Sequence, residues 1–304
     1  MAAELLKRQF LSEIQPLLFK NNDWLSRSKN DDAFVNANTV ELPHSGTLTG
    51  AGVNPSSFPL TIEKRTDVAT NYDLDVVHSF PTHLEIDEAL TVAYDKRASI
   101  LDQHAKEIMQ RVGSLALYAW AGGANAFTPT TGSSRAAAGA SQTGNRKAVT
   151  KADILAIRKR FFADDIVGGQ GGVQGIAVIT PSMYSDLLAI SEFVDGEKYG
   201  RSNIPDGVIS RAFGFDFYIR SSVVVTNNSD ALKAEGAAAA ATDQDAGVWY
   251  SPDFVRKAKS GIQILLDENK PEFLGSLMNA RCRFGSAPVR NDNKGVYLMF
   301  EDTI

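Results

Sequence analysis

The stretch DEALTVAYDKRASILDQHAKEIMQRVGSLALYAW (residues 87–120) admits one reading, a single long helix. Tyr94, Ala98, Leu101, Ala105, Ile108, Val112, Leu115 and Ala119 recur at spacings of four and three, which gathers them on one face of a 3.6-residue helix. Asp95, Lys96, Asp102, Lys106, Gln110 and Ser114 take the other face. Asp87 suits the N-cap, Glu88 the positive first turn, and Gly122 with Gly123 the stop. At 1.5 Å per residue such a rod is about 50 Å long. That exceeds what a compact core requires, so something extended lies along it.

Upstream, residues 2–20 place Leu5, Leu6, Phe10, Ile14, Leu17 and Leu18 among charged neighbours, an amphipathic helix interrupted near Pro16. Residues 21–46 are polar with isolated anchors at Trp24, Leu25, Phe34, Val35, Val40 and Leu42, the pattern of an extended arm ending in a short strand. Between Gly46 and Pro81 two strand-like runs, one with Leu60 and Ile62 and one with Tyr72, Leu74 and Val76, flank Lys64, Arg65, Thr66 and Asp67. The spacing predicts a hairpin with charges towards its tip. A two-stranded hairpin is marginal in water by itself, so this one is expected to pack on a neighbouring molecule. The residues assigned to contacts between subunits are Leu60, Ile62, Lys64, Arg65, Asp67 and Tyr72 of the hairpin, with Trp24 and Phe34 of the arm.

Downstream, residues 121–149 are rich in Gly, Ala, Ser and Thr and read as a flexible loop. A second helix is predicted over Thr150 to Asp165, with Thr150 and Asp153 as a cap-like pair and Ile154, Ile157, Arg158 and Phe161 recurring at helical spacing. Residues 176–180 form a buried-strand signal, and Pro181 opens a further helix. Strands follow at 213–219, 223–226, 247–251 and 262–266, a short turn or helix at 252–257, an exposed insertion at 229–245, and last ordered elements at 272–284 and 296–300. Strands and helices interleave without regular alternation, which points to α+β.

With 304 residues and 43% hydrophobic content the chain can bury a sizeable core. A net charge of −5 argues against a surface given over to nucleic acid. No run of about 18 apolar residues suggests membrane insertion. Cys282 is the sole cysteine, and in an alternating strand it points away from Arg281 and Arg283, towards the core. Those two arginines, with Arg290, form a candidate basic ladder for a partner's acidic residues. The glycine run 168–175 lacks the Gly-Lys-Ser/Thr ending of a phosphate loop and precedes a strand rather than following one. His78 and His83, near Asp73, Asp75 and Glu85, fit no recurrent metal motif. No G-x-S-x-G elbow occurs, so no catalytic, cofactor-binding or metal residues are assigned and no enzymatic activity is expected.

The order of parts, an amphipathic arm, VELPHSG, IEKRTDVATNYDLDV, the long helix, AVITPSMYSDLL, GFDFYIRSSVV, VWYSPDFVRKAKSGIQILLDE and FGSAPVRNDNKGVYLM, resembles the major capsid protein of tailed bacteriophages, the Johnson fold. The likeness covers nearly the whole chain and lies in the order more than in any one motif. It implies an N-terminal arm at 1–42, an extended loop at 43–82, a peripheral domain at 83–149 with its spine helix at 87–121, an axial domain at 150–270, and a return to the peripheral domain at 271–304. It implies a non-enzymatic shell subunit that assembles into hexamers and pentamers around double-stranded DNA in the host cytoplasm and resides in the virion. Expected partners are further copies of itself, a scaffolding protein, a portal, and DNA through weak contacts, with no cofactor and no membrane. Only some 40 residues precede the loop, so scaffolding is expected from a separate protein. Some members join a loop lysine to a neighbour's asparagine, and Lys64 with Asn291 or Asn293 is the corresponding pair, although the assisting glutamate is not identifiable. The alternatives are an encapsulin-type nanocompartment shell and, more remotely, a soluble α+β enzyme with its site in the 168–212 loops.

Overall fold

In a computed structural model, the structure describes residues 19–36, 38–46, 52–54, 58, 60, 62, 64–85, 96–124, 126–139, 141–166, 174–190, 211–290, 292 and 294–304. Its strands are β1 (Lys29–Asn30), β2 (Val35–Asn36), β3 (Thr39–His44), β4 (Val68–Asp73), β5 (Asp75–His78), β6 (Thr82–Glu85), β7 (Ala126–Pro129), β8 (Ser134–Ala136) and β9 (Asn145–Lys147). They continue with β10 (Gly175–Ile179), β11 (Arg211–Ala212), β12 (Phe215–Ile219), β13 (Val224–Thr226), β14 (Gln244–Tyr250), β15 (Val255–Lys259), β16 (Gln263–Lys270), β17 (Gly275–Pro288) and β18 (Val296–Phe300). The helices are α1 (Lys96–Gly122), α2 (Lys151–Ala163) and α3 (Pro181–Leu188).

A seven-stranded sheet in the order β11-β12-β10-β14-β18-β7, with β13 on β14, forms the centre. Its inner strands are buried on both faces, and strand alternation divides their side chains between two cores. Ile176, Val178, Val248, Tyr250, Val296 and Leu298 face α1. Ala177, Ile179, Trp249, Tyr297 and Met299 face the α2 and α3 side, meeting Ile154, Ile157, Phe161, Met183 and Leu187. The caps are local. Thr150 and Asp153 form the capping box of α2, and Thr180 accepts from the Met183 amide while Pro181 begins α3.

The second large sheet is built on the 14-residue strand β17. Phe284 pairs with Lys259 on one side and Asp75 on the other, and Arg281 with Gln263 and His78. Thus β15 and β16 run along one edge of β17, and β5 with β6 along the opposite edge. The arm strand β1 adds in parallel to β15. Met278, Ala280, Cys282 and Phe284 are buried, with the last three joining the α1 core, whereas Arg281 and Arg283 alternate outward.

Several expectations change. The helix ends at Gly122 as read, and its proposed start at 87–95 lies outside the described residues. Its buried residues are His104, Ile108, Val112, Gly113, Ala116, Leu117, Trp120 and Ala121, while Leu115 and Ala119 are half-buried and Ala98 is exposed. The stripe is rotated because two sheets, not one, close on the C-terminal turns. The hairpin pairs β3 with β4, from Thr39↔Asp73 to His44↔Val68, so Leu60 and Ile62 belong to the loop it encloses and not to its first strand. Residues 252–257 give a 3₁₀ turn, Pro252–Phe254, followed directly by β15. The stretch after α1 is not a structureless loop but carries β7, β8 and β9. Buried Arg146 organises it by donating to the carbonyls of Thr143, Asn145, Ala241 and Asp243 at 2.7–3.3 Å. The N-terminal helix at 2–18 and most of the glycine run fall outside the described residues.

Candidate assembly surfaces

Besides the β1–β15 pairing, several side-chain contacts fasten the arm to its own chain. Trp24 is fully buried, its ring 5.5 Å edge-on from Trp120, which lies 4.9 Å from Tyr250, and the Tyr250 hydroxyl donates to the Trp24 carbonyl at 3.1 Å. Asn22 lies against α1, where Gly113 leaves room for it: a Cβ there would meet the Asn22 Oδ1 at 2.2 Å. Asn22 donates to the Met109 carbonyl at 2.7 Å and accepts from Arg220 Nε at 3.3 Å. Arg220 itself is buried and also donates to the Gln110 carbonyl, Ser114 Oγ and the Ser222 carbonyl. Burial lowers its pKa to about 10. Finally, buried Asp31 accepts from Arg256 at 2.8 Å and from the Tyr72 hydroxyl at 3.1 Å. Burial, then the Asp31 charge, push the Tyr72 phenol well above its usual range.

Two residues assigned to a neighbour are therefore committed within the subunit. Trp24 has no surface left for a partner, and Tyr72 is turned to Asp31. An isolated tryptophan in a polar run signals an anchor, but sequence alone does not say whose core receives it.

The loop behaves otherwise. Leu60 and Ile62 are exposed, Ile62 by 95%, as are Val53 and Phe58 beside them, and so is Phe34 of the arm. Phe58, Leu60 and Ile62 stand at alternate positions, the signal the sequence reading used for Leu60 and Ile62 alone. Arg65 and Asp67 pair at 2.7 Å, and Asp67 accepts from the Gly46 amide at 2.9 Å, closing the base of the loop. The Arg65 hydrogen bond holds the Asp67 carboxyl below its usual range. Lys64 is exposed.

On the outer face of β17, Arg281 donates to Gln263 at 3.0 Å and Arg283 to Asn38 at 3.2 Å. Arg290 does not extend this ladder, since it lies beyond the end of β17 and chelates Asp292 at 2.5–2.7 Å. Asn291 and Asn293 lie outside the described residues. Cys282 is buried between the arginines and its thiol is pushed up by desolvation, which removes it as a reactive group. The strand expected at 262–266 is present as β16, but its place at a sheet edge, with Ile264, Leu265 and Leu266 all exposed, was not expected. The run of three aliphatic residues was visible, but an apolar run alone reads as buried.

No protein-family profile matches the chain, and no curated protein matches it in sequence. Solved structures do. The capsid asymmetric unit of the cyanophage Pam1 contains a chain that aligns at a TM-score of 0.70 over 100% of this chain and 98% of its own, with 9% identity. A chain from the Mycobacterium phage Che8 aligns at 0.69 over 98% of both, with 11% identity. The capsid structure of the cyanophage P-SCSP1u gives 0.69 over 99% and 94%, with 16% identity. At such identities the likeness establishes the fold. This is a mixed α+β chain with the architecture found in phage capsid structures, followed from end to end.

Proposed function

We propose that this chain is the major structural subunit of a tailed-phage capsid, a non-enzymatic protein that self-assembles into hexamers and pentamers of an icosahedral shell around double-stranded DNA. The observation that carries this reading is the end-to-end match to phage capsid chains, which cover 94–98% of their own length as well. In Johnson-fold terms, 1–42 is the arm, 43–82 the extended loop, 83–149 with 271–304 the peripheral domain, and 150–270 the axial domain. Exposed Val53, Phe58, Leu60 and Ile62 support a loop that reaches a neighbour, where apolar side chains leave water. Lys64 remains the loop lysine proposed to join Asn291 or Asn293 of a neighbouring copy. A scaffolding protein, a portal and weakly held DNA are the further partners proposed, with assembly in the host cytoplasm. The matched structures favour a phage shell over an encapsulin. Expression of the full chain, alone and with a scaffold, followed by negative-stain electron microscopy tests the proposal. Closed shells are expected; a monodisperse small species under both conditions would overturn it.

A further inference from the structure

The outer edge of β16 has no strand partner among the described residues, although its inner edge pairs with β17 from Gln263↔Arg281 to Lys270↔Gly275. Its apolar side chains are exposed on both faces: Ile264 by 52% and Leu266 by 39% on one, Leu265 by 46% on the other. The strand has no proline and no charge before Asp267. Proteins ordinarily protect an edge with such devices, and this stretch has none over Ile262–Leu266.

We infer that this edge is a two-fold contact: β16 of one copy pairs antiparallel with β16 of a second copy, centred on Ile264. The charge pattern selects this occupant. With Ile264 opposite itself, Ile262 faces Leu266 and Gln263 faces Leu265, so every central pair is uncharged or apolar. The strand ends then complement each other. Asp267 and Glu268 follow the apolar run, and Lys259 at the end of β15, with Arg281 and Arg283 on β17, lies on the side that precedes it; antiparallel pairing brings Asp267 and Glu268 of each copy towards this basic group of its partner. Among the described residues Arg281 donates to the neutral Gln263, while Asp267 and Glu268 hold exposed pairs with Lys270 and Arg97 at 2.9 and 2.8 Å that water weakens. An isologous contact of this kind closes on itself and does not propagate as a fibre. It also goes beyond the proposed loop contacts, because it involves neither the arm nor the loop. One strand pair falls short of the roughly 800 Å² per partner of a stable dimer, so it is weak in solution and gains strength by repetition.

Covalent trapping tests it. In the full chain with Cys282→Ala, Ile264→Cys and Leu266→Cys are compared as single cysteines under mild oxidation, with dimer read on non-reducing gels. Both sites are exposed, and circular dichroism checks that the fold persists. Two-fold pairing places only residue 264 within disulfide reach of its own copy, so Ile264→Cys should crosslink at least about tenfold faster than Leu266→Cys. Equal rates at the two positions would overturn the contact. So would preferential crosslinking of Ile264→Cys to a second protein carrying Ile62→Cys, which would assign the edge to a neighbour's loop. The readout needs no assembled shell, so absence of particles sinks the capsid reading without touching this one.

Discussion

Gly113 sits inside α1, where glycine costs up to about 1 kcal/mol relative to alanine. The Asn22 side chain occupies the space a methyl group would need, so Gly113→Ala should destabilise by about 1 kcal/mol despite its better helix propensity, because the Asn22 hydrogen bonds are displaced. Urea unfolding and limited proteolysis of the arm check it; an unchanged midpoint with an equally protected arm would refute the latch. Arg220 is the charged counterpart of the same junction. Arg220→Ala removes its hydrogen bonds to four acceptors and should cost about 3 kcal/mol, and Arg220→Met, which fills the volume without a buried charge, should cost less. Asp245 makes a pH-dependent contribution of opposite kind. Burial, then the charge of Glu301, raise its pKa. Between the unfolded pKa and the raised folded pKa the folded state holds a proton that the unfolded state has released, so ionisation opposes folding at neutral pH and that penalty fades as pH falls through the folded pKa. Asp245→Asn should be more stable than the parent at neutral pH, with the gap in urea midpoint closing in mild acid.

Among elements, α1 is not a uniformly buried rod. Its C-terminal half is enclosed, with Ala116, Leu117, Trp120 and Ala121 all buried, whereas Ile100 and Leu101 near its start are half-buried. Ile108→Asp should prevent folding, since an unpaired carboxylate would enter the core, while Leu101→Asp should leave a folded subunit; circular dichroism distinguishes them. The β3–β4 hairpin sets the limits for a loop deletion. Replacing residues 47–66 by a short turn keeps the ladder from Thr39↔Asp73 to His44↔Val68 and should give a folded subunit that fails to form shells. A deletion reaching residue 70 would remove paired residues of β4 and confound the test. Normal shells from the shorter deletion would show that the loop is dispensable.

For the whole molecule, two cores share one central sheet, and the arm locks onto the second sheet through β1 and Asp31. An acid cluster ties the C-terminal segment to the middle of the chain: Arg135 bridges Asp186 at 3.0 Å and fully buried Glu301 at 2.6 Å. The exposed apolar side chains of the loop and of the edge of β16 lie outside these cores. The sequence by itself determined what depends on neighbours along the chain: the end of α1 at Gly122, the capping box at Thr150, the proline start of α3, and the inward turn of Cys282 between two arginines. These follow from backbone hydrogen bonding and alternation over a few residues. Only the tertiary structure decided the partner of β4, the ordering of 126–147 by Arg146, the face of α1 that is buried, and the commitment of Trp24 to its own subunit. Each of these is a choice among distant partners of similar chemistry, and packing geometry settles it where local pattern is silent.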